Sequence, residues 1–409
     1  MNSPIAVVLA GGVGKRWWPL QTYKSLVPFV GKPAISHVLE QLQSVGIKEA
    51  IVVTNPVDQE AISRLLIAGV NITVVVQQTP NGMAGAVLSA KDAIRQRPIL
   101  VMNAEDLVDN KLYEVIRSEI TKQKPFVVGK KIARYFDTGY LKLRGDSIEA
   151  IIEKPGKGNE PSNYVNLVFH YFPDSEPFLK ALESTTSDSD DVYEQALSGL
   201  CKIIDFHIVR YEGTWVPLKY PWHVLDMMDV LLHAMSELRG KNIEIKSNVV
   251  IEGPVHIGDN VKIFENTKIV GPCYIGDNTI IGNNNIIRQS HIGEGCVTGF
   301  NTDITRSYIG DNCWFHSNYI GDSVIEGDVN MGSGTVCANL RLDRGEIASV
   351  VGDSRINTRR TKLGALIGKN VRIGVNTSIM PGVKIGSGSI VGAGLVVNHD
   401  IPNDSKKLL

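Results

Sequence analysis

The chain has 409 residues, 43% hydrophobic and 21% charged, enough apolar content for the cores of two or three soluble domains. A net charge of -1 gives no electrostatic footprint for nucleic acid or an acidic membrane surface. Five scattered cysteines (Cys201, Cys273, Cys296, Cys313, Cys337) without a CxxC pair read as buried free thiols of a reducing cytoplasm, and neither a signal peptide nor a membrane-spanning run is predicted.

The first half alternates two periods. "IAVVLA" predicts a strand that runs straight into Gly11, Gly12 and Gly14, with Lys15 and Arg16 following. Glycines in that place let backbone N–H groups approach an anion closely, and phosphate is the common guest. "PAISHVLEQLQSVG" predicts an amphipathic helix ending at Gly46. Strands follow over 49–55, 72–78 and 98–106, with helices over 58–69 and 84–96 between them. Repeated βα units imply a mainly parallel sheet covered by helices on both faces. Ligands of such sheets bind beyond the carboxyl ends of the strands. Gly11–Gly14 and Glu105–Asp106 both sit there.

"YPWHVLDMMDVLLHAMSELRG" has helical spacing at Val224, Leu225, Met228, Leu231, Leu232 and Met235 and reads as a connecting helix packed by that stripe. Beyond it the period becomes six. Ile251, Ile257, Ile263, Ile269, Ile275, Ile281 and Ile287 recur at that interval; the register slips once, and Ile367, Ile373, Ile379, Ile385, Val391 and Val397 resume it. Six matches neither a helix nor a hairpin. It suits a triangular solenoid in which each short strand is one side of a coil. The stretch 339–368 interrupts the hexads, and its Arg359, Arg360 and Lys362 read equally as a phosphate site or a solvated basic face. The predicted divisions are therefore 1–220, a linker helix over 221–245, and a solenoid over 246–409.

"GGVGKRWWPL" fits neither the GxxxxGK[ST] nor the GxGxxG spacing. With "YKSLVPFVGKP" it forms a pattern that resembles the sugar-1-phosphate nucleotidylyltransferases. The resemblance covers the N-terminal half. "QQTPNGMAGAVLSA" matches the family's base-binding stretch, "LVMNAEDLV" its metal-binding strand end, "FDTGYLKL" its central glycine turn and "IIEKP" its sugar-binding segment. It implies that Gly11, Gly12 and Gly14 meet the triphosphate and Arg16 the leaving pyrophosphate. It places Lys24 on the sugar phosphate, Gln78 and Gly82 near the base, and Gly139, Glu153, Lys154 and Asn166 around the sugar. Asp106 would hold Mg2+. The chain departs from the pattern at Lys15, Met83, Glu105, Leu167 and Val168. Pro217 stands where the family has a second metal aspartate, and proline cannot ligate a metal. Glu105 is a candidate replacement carboxylate.

In the second half, "FHSNYIGDSVIEGDVNMGSGTVCANLRLD" is similar to the acetyltransferase core of the bifunctional glucosamine-1-phosphate N-acetyltransferase / UDP-N-acetylglucosamine pyrophosphorylase family, its archaeal members above all. Both halves occur in the family's order. An amine attacking a thioester must lose a proton, and a neutral imidazole suits that task. The resemblance makes His316 that base. It assigns Tyr319, Asn330, Asn339 and Arg288 to the amino-sugar phosphate, and leaves room at Ser333 and Ala393 for the pantetheine arm of acetyl-CoA. Where the family has a substrate lysine, "DITRS" offers Thr305 and Arg306.

The expected fold is thus a Rossmann-like α/β nucleotidyltransferase domain followed by a left-handed parallel β-helix of hexapeptide repeats. The expected enzyme N-acetylates an amino-sugar 1-phosphate and transfers a nucleotidyl group from UTP or dTTP, as a cytoplasmic homotrimer. Two alternatives stay open: a first half that binds nucleotide or sugar phosphate without turnover, and a solenoid that serves only assembly.

Overall fold

In the first half, apolar periodicity builds one large sheet. The computed structural model describes residues 3–12, 14 and 16–408. They divide into two compact units, one of 3–12 with Ala34–Trp215, the other of Gly14–Pro33 with 216–408.

The first unit carries a nine-stranded sheet. Ile5–Leu9 lies at its parallel heart, flanked by Glu49–Thr54 and Ile99–Asn103, with Asn71–Val76 at the edge. Every residue of Ile5–Leu9 is buried, as a parallel strand covered on both faces requires. The helix Ala34–Val45 buries Ala34, Ile35, Val38, Leu39, Leu42 and Val45 along one stripe and stops at Gly46, whose φ of +79° needs glycine. Asp109 caps Asn110–Thr121 by accepting the N–H groups of Lys111 and Leu112.

The other side of the sheet is less parallel than the βα pattern implies. Tyr164–Phe172 runs antiparallel to both Ile99–Asn103 and Phe126–Lys131, and Gly139–Arg144 and Ser147–Glu153 form a hairpin. Its tight turn at Gly145 (φ +65°) needs no crossover helix. The predicted helix over 58–69 is short, Gln59–Ser63. Only Ile62 of it is buried and Leu66 is 95% exposed, so packing supplies too little burial for further turns. The one predicted over 84–96 is split into Gly82–Ser89 and Lys91–Ile94.

The second unit is a left-handed parallel β-helix entered through the helix His223–Ala234, whose Val224, Leu225, Met228, Leu231 and Leu232 are buried. Two eight-stranded and two four-stranded parallel sheets run along its sides. Ile257 pairs with Ile275, Ile263 with Ile281 and Ile269 with Ile287, one coil of 18 residues apart. Their side chains stack into the solenoid core. Asparagines such as Asn260 and Asn278 turn the corners at positive φ, and the Asn260 amide donates to Asn278 one coil on.

The coil does not slip once, as the hexads suggested. It contracts in steps. Ile275 pairs with Ile292, 17 residues on, and Ile309 with Ile325, 16 residues on. Sides of five residues replace six at Ile287–Ile292, Ile304–Ile309, Phe315–Ile320 and Ile320–Ile325. Pairing of Ile325 with Ile367 then spans the interrupting stretch, whose Ala348–Val351 and Ser354–Asn357 form an antiparallel hairpin. All five cysteines are free, four of them buried, with Cys201 half-buried.

Within this unit, Gly14–Pro33 is moored on the solenoid. Tyr308 donates its hydroxyl to the Pro28 carbonyl at 2.8 Å, and Trp18 Nε1 donates to Asn403 Oδ1 at 2.9 Å. His256, Tyr274, His291 and Tyr308 stack in a column one coil apart, with ring centroids 4.7–4.8 Å apart, and Phe29 continues it at 5.4 Å. No helix among the described residues is long and apolar enough to cross a membrane.

Candidate active sites

In the first unit the strand Ile5–Leu9 delivers Gly11 and Gly12 beyond its carboxyl end. A Cβ on Gly11 would lie 3.0 Å from Gln77 Oε1, whereas one on Gly12 would meet nothing within 4 Å. Gln77 is buried, and its amide nitrogen donates to Asn81 Oδ1 at 2.7 Å and to the Gly82 carbonyl at 3.1 Å. Gln77 is therefore held to the start of Gly82–Ser89 beside the glycine turn, and a side chain on Gly82, at φ +79°, would meet the Asp190 carboxylate. Gln78 is exposed. Strand parity was the signal available in "VVVQQ": of two adjacent residues one faces inward.

Gly139, Glu153 and Asn166 converge on adjacent strands. Gly139 pairs with Glu153 in the hairpin register. A Cβ at Gly139 would lie 3.0 Å from Glu153 Oε2, 3.2 Å from Ile151 Cγ2 and 3.6 Å from Asn166 Cβ, so its absence leaves a notch lined by these three side chains. Lys154 Nζ pairs with Glu153 Oε1 at 2.9 Å. Behind the notch, burial and the Glu153 charge push the Glu194 carboxyl up to about 7. Asn166 itself is buried and accepts at Oδ1 from His170 Nε2 at 2.8 Å, while His170 Nδ1 lies 2.7 Å from the Tyr193 hydroxyl.

Asp106 is buried and receives the Asn103 side-chain N–H at 3.1 Å. Its charge, after burial itself, helps push the Tyr113 hydroxyl up. Among the described residues no cluster of three or more His, Cys, Asp or Glu side chains could hold a metal.

In the second unit the turn that carries Arg16 closes with a Trp17 N–H to Gly14 carbonyl bond of 2.8 Å, and Gly14 adopts φ +62°. Trp17 is buried, and Lys24 Nζ stands 5.8 Å from its ring centroid.

On the solenoid, His316 and Asn330 line one pocket of about 570 Å³ together with Trp314, Arg372, Ile373 and Ile390. The His316 side chain is exposed, while its backbone N–H is pinned by the buried Asn318 at 2.8 Å. Ser333 and Ala393 lie at exposed positions of one corner row, beside the stacked Gly332 and Gly374. Three residues on from His316, Tyr319 belongs to a second cluster. Arg288 Nη2 reaches both Asp303 oxygens at 2.8–2.9 Å, and Asp303 is register partner to Tyr319. Arg306 forks onto Asp322 through Nε and Nη2, both at 2.8 Å, and Asn339 donates to the same carboxylate at 2.5 Å. Of the positions assigned to an amino-sugar phosphate, Arg288 and Asn339 are therefore tied to carboxylates, Asp303 and Asp322, the latter the aspartate of "YIGD", while Asn330 stays with His316.

Residues 5–212 match the nucleotidyl transferase family, and 254–289 and 364–399 match the bacterial transferase hexapeptide family. A bifunctional sugar-1-phosphate nucleotidylyltransferase/acetyltransferase of Sulfurisphaera tokodaii is 33% identical over 97% of this chain and 98% of its own. The chain belongs to this bifunctional family. The bifunctional protein GlmU of Methanococcus maripaludis is 32% identical, over 98% of this chain and 96% of its own. An apo UDP-glucose pyrophosphorylase crystal structure, 18% identical with a TM-score of 0.50, covers 56% of this chain and 98% of that chain, and shares the fold.

Set within this bifunctional family, the departures acquire structural settings. Pro217 ends the short strand Trp215–Pro217. Close by in sequence, His223 accepts the Lys219 N–H at Nδ1 (3.1 Å) and is held by burial to about 3, hence neutral. Arg306 is a buttress of Asp322 more than a free cation. Lys15 lies outside the described residues.

Proposed function

We infer that the chain is a bifunctional transferase of nucleotide-sugar synthesis. It moves an acetyl group from acetyl-CoA to an amino-sugar 1-phosphate, then joins a nucleotidyl group from UTP or dTTP to the sugar 1-phosphate. The observation that carries this reading is the end-to-end match to a relative bearing both activities.

In the second half the substrate amine attacks the thioester carbonyl, the C–S bond breaks and the coenzyme leaves as a thiol. His316 takes the amine proton from an exposed position on the pocket wall it shares with Asn330. Arg288, Tyr319 and Asn339 orient the phosphate and sugar, and Ser333 and Ala393 leave space for the pantetheine arm. In the first half a sugar-phosphate oxygen displaces pyrophosphate at the α-phosphorus. Such in-line transfer needs positioning and charge neutralisation more than covalent chemistry. Backbone N–H groups at Gly11, Gly12 and Gly14, with Arg16, hold the triphosphate. Lys24 holds the sugar phosphate, Gln77 joins Gln78 and Gly82 as a candidate for the base, and Gly139, Glu153, Lys154 and Asn166 surround the sugar. One buried carboxylate, Asp106, with substrate phosphates and water completing the shell, is a donor set that Mg2+ accepts. When bound, the ion neutralises phosphate charge. The solenoid assembles as a homotrimer. Pro217 favours a second reading for the first half alone, binding without turnover.

Two assays separate the halves. Acetyl-CoA with glucosamine 1-phosphate should release thiol, and His316→Ala should slow that release ~10²–10⁴-fold. UTP or dTTP with a sugar 1-phosphate and Mg2+ should release pyrophosphate, and Asp106→Asn should stop it. Thiol release equal in wild type and His316→Ala would remove the histidine from the chemistry. No pyrophosphate with either nucleotide would leave the first half a binding domain.

A further inference from the structure

Asn166 is 7% exposed and His170 0%, yet a glycine notch opens directly beside them. The hydrogen bonds in this pair follow one tautomer of the ring. Burial holds the His170 imidazole to about 3, so the ring is neutral and carries one N–H. Asn166 faces it with Oδ1, an acceptor, at 2.8 Å. The proton therefore sits on Nε2, and Nδ1 is the acceptor of the Tyr193 hydroxyl proton at 2.7 Å. Tyr193 is itself buried, and its ring lies 5.5 Å from the imidazole. The relay Tyr193–His170–Asn166 consumes the amide's acceptor. It leaves the Nδ2 donor pair without an acceptor among the described residues.

We propose that His170 is a positioning residue of the sugar pocket, locking the Asn166 amide so that its N–H group, on the strand next to Gly139 and Glu153, is presented to an oxygen acceptor of a sugar 1-phosphate. The pocket then offers a fixed donor and a fixed acceptor side by side, matched to a ligand with an acceptor oxygen next to a hydroxyl. An amide free to flip would present either character and would discriminate less. The proposal rests on the assignment of this notch to the sugar.

Calorimetric titration of the full chain with N-acetylglucosamine 1-phosphate, glucose 1-phosphate and UTP tests it. His170→Leu should weaken both sugar phosphates ~10-fold, the value of one lost charge-free hydrogen-bond constraint plus an unlocked amide. UTP affinity should stay unchanged, which also reports an intact unit. His170→Gln, which retains a donor where Nε2 stood, should recover most of the loss, and Tyr193→Phe should fall between. Equal weakening of UTP in His170→Leu, or no rescue by His170→Gln, would mean that His170 merely fills the core and would overturn the proposal. Asn166→Ala distinguishes the two levels: if it weakens sugar phosphate while His170→Leu does not, the relay fails alone. If Asn166→Ala has no effect either, the sugar assignment of the notch fails and takes the relay with it.

Discussion

Glu326, on the solenoid, accepts the backbone N–H groups of Gln21 and Thr22 through one carboxylate oxygen, at 2.8 and 2.5 Å. More than three hundred residues separate the partners. The loop so held carries Arg16 and Lys24, assigned above to phosphate. Glu326→Ala should lower kcat/KM for nucleotidyl transfer about 10-fold, since hydrogen bonds to a charged group contribute ~1.5–3 kcal/mol. Glu326→Gln, keeping an oxygen acceptor, should lose less. Acetyl transfer by the same preparation should be unaffected; an equal fall in both activities would point to general unfolding instead.

Gly139→Ala places a methyl 3.0 Å from Glu153 Oε2 and 3.2 Å from Ile151 Cγ2. The carboxylate is the mobile end of its side chain, so the fold should absorb the change with little loss of melting temperature. The notch between Glu153 and Asn166 should close. KM for the sugar 1-phosphate should rise ~10-fold, the size of one lost polar contact, while KM for the nucleotide stays level. Unchanged sugar-phosphate KM would place the sugar elsewhere.

Asp322 is buried and binds Arg306 and Asn339 at once. Asp322→Ala frees both donors and leaves Arg306 without its counter-charge. KM for the amino-sugar phosphate in acetyl transfer should rise roughly 10-fold, with pyrophosphate release preserved. Asp322→Asn, which still accepts, should be milder. Steady-state kinetics on both assays decides it.

Four histidines make the fold acid-sensitive, His256 among them, lowered by burial. Burial holds His170 and His223 to about 3 and His291 to about 4. In the folded chain they are neutral, while the unfolded chain protonates them near 6.5. The unfolded state thus binds more protons below that value. Stability is full above about pH 6.5, falls as pH drops toward 4, and levels off below the folded values. Each contributes up to ~1.4 kcal/mol of loss one unit below 6.5. Glu194, raised to about 7, has the opposite slope and offsets one of them. Denaturant midpoints at about pH 7.5 and 5.5 measure the net. His291→Phe, which preserves the stack between Tyr274 and Tyr308, should remove one histidine's share of the slope.

What the sequence determined by itself was whatever repeats or clusters locally. The hexads of Ile257 to Ile287 announced a solenoid because each aliphatic residue must fill the same interior row one side later. The glycines after Ile5–Leu9, the carboxylate at the end of Ile99–Asn103 and the stripe of His223–Ala234 were legible for the same reason, and the family motifs named both activities. Tertiary structure decided the rest. Contraction of the coil from 18 to 16 residues follows from which side fills which row, and "VVVQQ" alone does not say whether Gln77 or Gln78 faces inward. Asp303 looks like an ordinary solenoid residue, and the "YIGD" motif does not say what Asp322 holds, until the coils stack and bring Arg288 and Arg306 onto them. Glu326 and Gln21, or His170 and Tyr193, become partners only because burial obliges each polar group to find one wherever the fold places it. Period is a property of neighbours in the chain, whereas the partner of a buried polar atom is a property of the whole packing.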